Sequence, residues 1–246
     1  MEVLCHIGTI VTAPWGRTVL DRCRGRRHAR RVPDELEQRL DDLRAQASDR
    51  IPMRELFALA KAFPAASLAD MEHLLDGPTH EHKVVAVSLM DFRARQKKIV
   101  DDERRALYEL YRRRHDRIDT WDLVDRAAPH VVGGWLHPRS RAPLDELAAS
   151  EHWYERRTAI VATWYFIRLG ETADTFRIGA TLAHDPVELV QKAVGGWVRE
   201  AGKRDGAALR TLLDAHAATM PRTALRYAVE QLPAEEKAHY LGLRGH

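Results

Sequence analysis

Residues 67–78, SLADMEHLLDGP, contain a complete helix with its start and its stop. Ser67 stands three residues before Asp70, the capping-box pattern that satisfies free N–H groups at a helix N-terminus. Leu68, Met71, Leu74 and Leu75 follow at three- and four-residue spacing, so they share one face. Gly77-Pro78 then forbids continuation. The same grammar spreads outward from this stretch. Leu36, Leu40 and Leu43 form a stripe upstream; Met53, Leu56, Phe57, Leu59 and Ala60 form one past Pro52; Val84, Val85, Leu89 and Phe92 form one downstream. No alternating segment demands a strand. Ala and Leu together number 61 against 25 for Val and Ile, a balance that favours helix.

The stops recur at helix-sized intervals: Pro64, Pro138, Pro143, Gly170, Pro186, Gly202, Gly206, Pro221 and Pro233. Pro186, Pro221 and Pro233 stand where proline belongs at a helix start, and Glu235-Glu236 suit the positive end of the helix dipole. The spacing predicts about twelve helices over residues 34–241, or about 36 residues per helical pair, a period typical of helical repeats. Single pairs cannot bury their apolar faces alone, so the set is expected to stack as one curved solenoid. Self-similarity is weak, which leaves a non-repeat helical bundle as the rival architecture.

Charge is unevenly placed. The 246 residues hold 39 Lys and Arg against 36 Asp and Glu, a net charge of +3. Residues 1–31 carry seven basic and two acidic side chains, and the remainder is net −2. Both cysteines, Cys5 and Cys23, lie in residues 1–31, so a disulfide, a Cys-rich zinc site or an iron–sulfur cluster in the rest of the chain is excluded. This fits a reducing, cytoplasmic setting. Residues 1–31 make a poor secretory signal and are expected to be a disordered basic extension, or to reflect an upstream start codon. Residues 32–246 are expected to form a single domain. No apolar run approaches the roughly 18–20 residues a membrane span needs.

Common catalytic motifs are missing: no phosphate loop, dinucleotide fingerprint, nucleophile elbow or H-E-x-x-H. His80-Glu81-His82 looks metal-like, but residues two apart on a helix point away from each other, and a polar helix start is preferred. Neither metal nor cofactor is expected. Residues 93–117 hold ten basic and five acidic side chains and run into DTWDLVD at 119–125. A charge run of this kind is usually a solvated face. Asp122 is expected near the third helical position as a cap. Trp121 and Asp125 are four apart and share a face, where an indole beside a carboxylate is able to meet a polyanion. The blander roles are core packing for Trp121 and a cap or ion pair for Asp125.

Four ordered segments resemble the AlkD-like DNA alkylation repair enzymes, bacterial DNA glycosylases built of HEAT-like helical repeats. They are WDLVD at 121–125, YERRTAIVATWYFIRLGE at 154–171, VQKAVGGWVREAGKRD at 190–205 and MPRTALRYAVEQLP at 220–233. The resemblance spans roughly residues 50–242. It implies an all-α, right-handed solenoid of HEAT-like helical pairs whose concave face grips double-stranded DNA. It implies excision of cationic alkylated purines such as 3-methyladenine and 7-methylguanine, within base excision repair and without a cofactor or a membrane, by a monomer. Asp125 matches the catalytic carboxylate and Trp121 the tryptophan against the lesion's deoxyribose. Arg157 matches an arginine of the DNA-binding cleft, and Lys192 and Arg199 are further matches.

Two departures stand out. Where the family pattern reads Q-K-A-x-G-W, this chain reads Gln191-Lys192-Ala193-Val194-Gly195-Gly196-Trp197. Gly196 therefore takes the place of a second lesion-facing tryptophan, and Trp197 follows one residue later, rotated by about 100°. Trp197 is expected either at the DNA site or in the core. A tyrosine from an early family helix has no counterpart, because no aromatic residue falls between Trp15 and Phe57. The alternatives to a glycosylase are a DNA-binding relative without excision activity and a helical protein-interaction scaffold.

Overall fold

A computed structural model describes residues 32–243; the expected basic extension at residues 1–31 lies outside the described residues. Among the described residues the chain forms fifteen α-helices, several of them short, where the spacing predicted about twelve. The α1 helix runs Val32–Gln46, α2 Met53–Ala62, α3 Leu68–Leu75, α4 His80–Ala94 and α5 Asp101–Arg113. Further on, α6 spans Trp121–Ala128, α7 Gly134–Leu136, α8 Ala142–Ala148, α9 Trp153–Ala162, α10 Trp164–Arg168 and α11 Ala173–Thr181. The chain continues through α12 (Glu188–Gly202), α13 (Gly206–His216), α14 (Arg222–Ala228) and α15 (Ala234–Gly242). Among the described residues there is no strand, and no helix is long and apolar enough to cross a membrane.

The local signals hold at several ends. Asp70 N–H donates to Ser67 Oγ at 3.2 Å while Ser67 N–H donates to Asp70 Oδ2 at 2.7 Å, completing the capping box of α3. Pro221 and Pro233 are the residues immediately before α14 and α15, with extended ψ angles of 139° and 147°. Thr120 precedes α6, so Asp122 falls at the second helical position rather than the third. The Asp122 carboxylate accepts from the Thr120 hydroxyl at 2.7 Å and pairs with His80 Nε2 at 2.7 Å. Burial pushes its pKa up, but these hydrogen bonds outweigh burial and hold it below the usual carboxylate range. His82 binds Thr79 Oγ1 at 2.8 Å, so the two histidines of the His-Glu-His run face different partners.

The helices stack in two rows. One row takes α2, α4, α6, α9, α12 and α14, each packed on the next; α1, α3 and α5 cover its first half, and α8, α11 and α13 cover its second. This neighbour-on-neighbour order is that of an α-solenoid. One apolar core runs through the stack, from Leu36 through Val85, Val124, Ile160 and Val194 to Leu225. Packing in the first row is close because two glycines permit it. A methyl group on Gly133 would collide with the carbonyl of Ala162, and one on Gly195 with the carbonyl of Ala224. The chain from α6 to α7 continues through one wide π-helical turn, Pro129–Gly133, which places Gly133 against α9.

Candidate active site

Asp125 lies on α6, one turn after Trp121, on the row of helices that pack consecutively. Its carboxylate meets a forked partner from α9. Arg157 Nε donates to Asp125 Oδ1 at 2.9 Å and Nη2 donates to Oδ2 at 2.7 Å. The third guanidinium nitrogen, Nη1, donates to the carbonyl of Leu189 on α12. Arg157 is only 7% exposed, whereas the Asp125 side chain is 35% exposed. The arginine is thus a buried support, and the carboxylate is its open end. A carboxylate oxygen has two lone pairs, so each Asp125 oxygen keeps one acceptor site beyond the fork.

A cleft of about 240 Å³ opens over this pair. Lys192, Gly196, Trp197, Arg199 and Tyr227 line it together with Asp125 and Arg157. The structure therefore brings Asp125, Arg157, Lys192, Trp197 and Arg199 to one place. Lys192 is ion-paired to Glu188 at 3.0 Å, one turn back on α12. Arg199 pairs with Glu200 at 3.1 Å and also with Glu230. Trp121 does not line the cleft; it stands 51% exposed at the start of α6. Trp197 packs partly against the core and also forms part of the cleft wall.

The double glycine divides its roles. Gly195 faces α14, where a side chain would strike Ala224 and Tyr227. Gly196 faces the cleft, where a Cβ would meet nothing within 4 Å. The place of the second tryptophan is open space. Tyr227, which the sequence reading did not single out, lines the same cleft at 39% exposure. Its signal was the pairing of α14 with a glycine on α12, which is a tertiary relationship.

The basic run at 93–117 is largely neutralised. Arg113 and Arg114 reach Glu72 on α3 at 2.7 and 3.2 Å, Arg112 reaches Glu146 on α8 at 3.5 Å, and Arg117 reaches Asp76 at 3.4 Å. The α5 helix belongs to the covering row, where Arg112 and Arg113 tie it to α8 and α3. Lys97 and Arg104 are exceptions and line a cleft near α10.

Among known families, that of the DNA alkylation repair enzymes matches residues 51–232. No curated protein matches the chain.

Proposed function

The chain belongs to the DNA alkylation repair enzyme family, and from that membership we propose that it is a DNA-alkylpurine N-glycosylase acting on duplex DNA. The observation that carries the reading is the partly exposed Asp125 carboxylate held in a fork by buried Arg157. Suitable substrates are purines made cationic by alkylation, such as 3-methyladenine and 7-methylguanine. Their glycosidic bond is already weak. The C1′–N bond breaks with both electrons going to the base, which leaves as a neutral molecule, so no general acid is required. Positive charge develops at the sugar, as in glycoside hydrolysis.

Asp125 is suited to this step in two ways. Its fixed negative charge stabilises the oxocarbenium-like sugar, and its free lone pairs accept a proton from the water that adds to C1′. Arg157 is a positioning residue: the fork prevents the carboxylate from rotating as charge develops. The exposed Trp121 face, one helical turn away, offers cation–π attraction on the order of 0.5–2 kcal/mol. Lys192, Trp197 and Arg199 at the cleft walls are the proposed DNA contacts.

The deciding experiment is base release from duplex DNA carrying 7-methylguanine or 3-methyladenine, comparing the wild type with Asp125→Asn. Release by the wild type and its loss in the variant support the reading; no release by either protein overturns it. One observation favours a second reading, that of a DNA-binding relative without excision activity. The open space at Gly196 removes an aromatic wall from the site. Salt-dependent duplex binding without base release would select it.

A further inference from the structure

Tyr227 stands apart from the other tyrosines of the chain. There are six, all within the described residues. Five pair their rings with another aromatic ring: Tyr108 with Trp135, Tyr111 with His115, Tyr154 with His152, Tyr165 with His137 and Tyr240 with His239. Tyr111 and Tyr240 also commit their hydroxyls, to Thr158 and Asp214. Among the described residues the Tyr227 ring has no aromatic partner and its hydroxyl no hydrogen bond.

A lone aromatic ring on an open surface needs no explanation. Tyr227 is placed otherwise: it is exposed, and it lines the cleft that holds Asp125. Row order puts α12 between α9 and α14, so a residue of α14 reaches this cleft across α12. The two glycines of α12 make that passage. At Gly195 a Cβ would lie 2.6 Å from the Cβ of Tyr227, so any other residue there would push the tyrosine away. At Gly196 a Cβ would meet nothing within 4 Å, so the cleft side of α12 stays open. The remaining walls supply charge already in use. Lys192 is paired with Glu188, and Arg199 with Glu200 and Glu230. Trp197, the other aromatic lining residue, packs partly into the core. Tyr227 is the aromatic face of the cleft that the protein leaves to a ligand.

We propose that Tyr227 is a substrate contact of this site, its ring facing the cationic nucleotide whose sugar lies at Asp125. The proposal rests on the glycosylase reading. As the C1′–N bond breaks, positive charge moves from the purine to the sugar, and the electron-rich face of the ring attracts it there. A ring that meets the sugar beside the carboxylate is worth more in the transition state than in the bound substrate, so it acts on rate rather than on affinity.

The test is single-turnover base release from duplex DNA carrying 7-methylguanine, with the full chain in saturating excess. The proteins are wild type, Asp125→Asn, Tyr227→Phe and Tyr227→Leu. Leucine keeps the Cβ that packs on Gly195 but has no ring face; phenylalanine keeps the face and loses only the hydroxyl. Tyr227→Leu should release base about 2- to 30-fold more slowly, while Tyr227→Phe stays within about twofold of wild type. Affinity for lesion-free duplex, by fluorescence anisotropy, and the urea midpoint should be unchanged in both. A Tyr227→Leu rate equal to that of wild type, with Asp125→Asn inactive, overturns the contact and leaves the glycosylase reading intact. An equal fall in both variants assigns the role to the hydroxyl and overturns the ring contact. A fall in rate accompanied by a lower urea midpoint and weaker lesion-free binding reports disturbed packing of α14 and overturns it as well. Absence of release by wild type overturns both the contact and the glycosylase reading.

Discussion

Arg157 grips both oxygens of Asp125 from below, at 2.9 and 2.7 Å, and uses its remaining nitrogen on the Leu189 carbonyl. Three helices, α6, α9 and α12, are thereby locked around one carboxylate. The arrangement separates two roles that a basic residue in a cleft can have. An arginine that holds phosphate keeps its donors free for the ligand; Arg157 has committed all three nitrogens to the protein.

Arg157→Lys preserves the charge but not the fork. The expected outcome is a fall in the base-release rate of at least about tenfold, with little change in affinity for lesion-free duplex. Loss of the charge-assisted hydrogen bonds should also lower stability by about 1–3 kcal/mol. Single-turnover kinetics and anisotropy on the same protein separate the two effects. A variant that releases base normally but binds duplex weakly, with a smaller salt slope, would show that Arg157 contacts phosphate instead.

Adjacent glycines on α12 should respond in opposite ways to alanine. Gly195→Ala drives a methyl into the Ala224 carbonyl and the Tyr227 side chain, so α12 and α14 must separate. A cost of about 1–3 kcal/mol is expected for such overpacking. Gly196→Ala meets nothing within 4 Å and removes a glycine from a helix interior, which should stabilise by about 0.8–1 kcal/mol. Urea unfolding of both variants checks this. Equal effects at the two positions would contradict the packing described.

These contrasts show where reading the sequence succeeds and where it stops. The α3 capping box, the proline-led starts of α14 and α15 and the helical stripes are local, and each is visible within about ten residues. The grouping of Asp125 with Arg157, Lys192 and Arg199 came only through resemblance, since those residues are dozens of positions apart. Three features depended wholly on tertiary packing. The cations at 93–117 find carboxylates on other helices, as Arg113 does at Glu72 and Arg112 at Glu146. Arg157 is buried beneath its partner rather than facing solvent. Tyr227 enters the cleft because Gly195 lets α14 approach. Charge counts along the chain cannot distinguish paired from unpaired cations.

Acid should destabilise the protein well before its carboxylates titrate. His115 is buried, and burial, assisted by the charge of Arg112, pushes its pKa down to about 3. Thr158 Oγ1 donates to the Tyr154 carbonyl and lies 3.0 Å from both Tyr111 Oη and His115 Nε2. With its own proton given to Tyr154, Thr158 Oγ1 accepts from both, which puts the imidazole proton on Nε2, and burial keeps the ring neutral. Burial also lowers the pKa of His82 and His216. As pH falls below about 6.5 the unfolded chain takes up protons that the folded chain refuses, so stability declines until the folded pKa is reached. His115 alone should contribute a loss of about 1.4 kcal/mol per pH unit between pH 6 and 4. His115→Gln should remove that part of the slope, measured by urea unfolding at several pH values. An unchanged slope would reject the assignment to His115.

The open space at Gly196 makes the cleft testable by addition. Gly196→Trp places an indole on the cleft side of α12, where the backbone presents no obstacle. There it faces the same cleft as Asp125 and Tyr227. If a cationic nucleotide reacts at Asp125, a second aromatic face should stabilise the developing charge by about 1–2 kcal/mol, raising base release roughly five- to thirtyfold. Asp125→Asn in the same background should abolish the gain. An indole that merely filled the cleft would instead block access, lowering release in Gly196→Trp while leaving thermal stability unchanged. A fall of this kind would place the reacting sugar in the volume now left free by Gly196, rather than beside it.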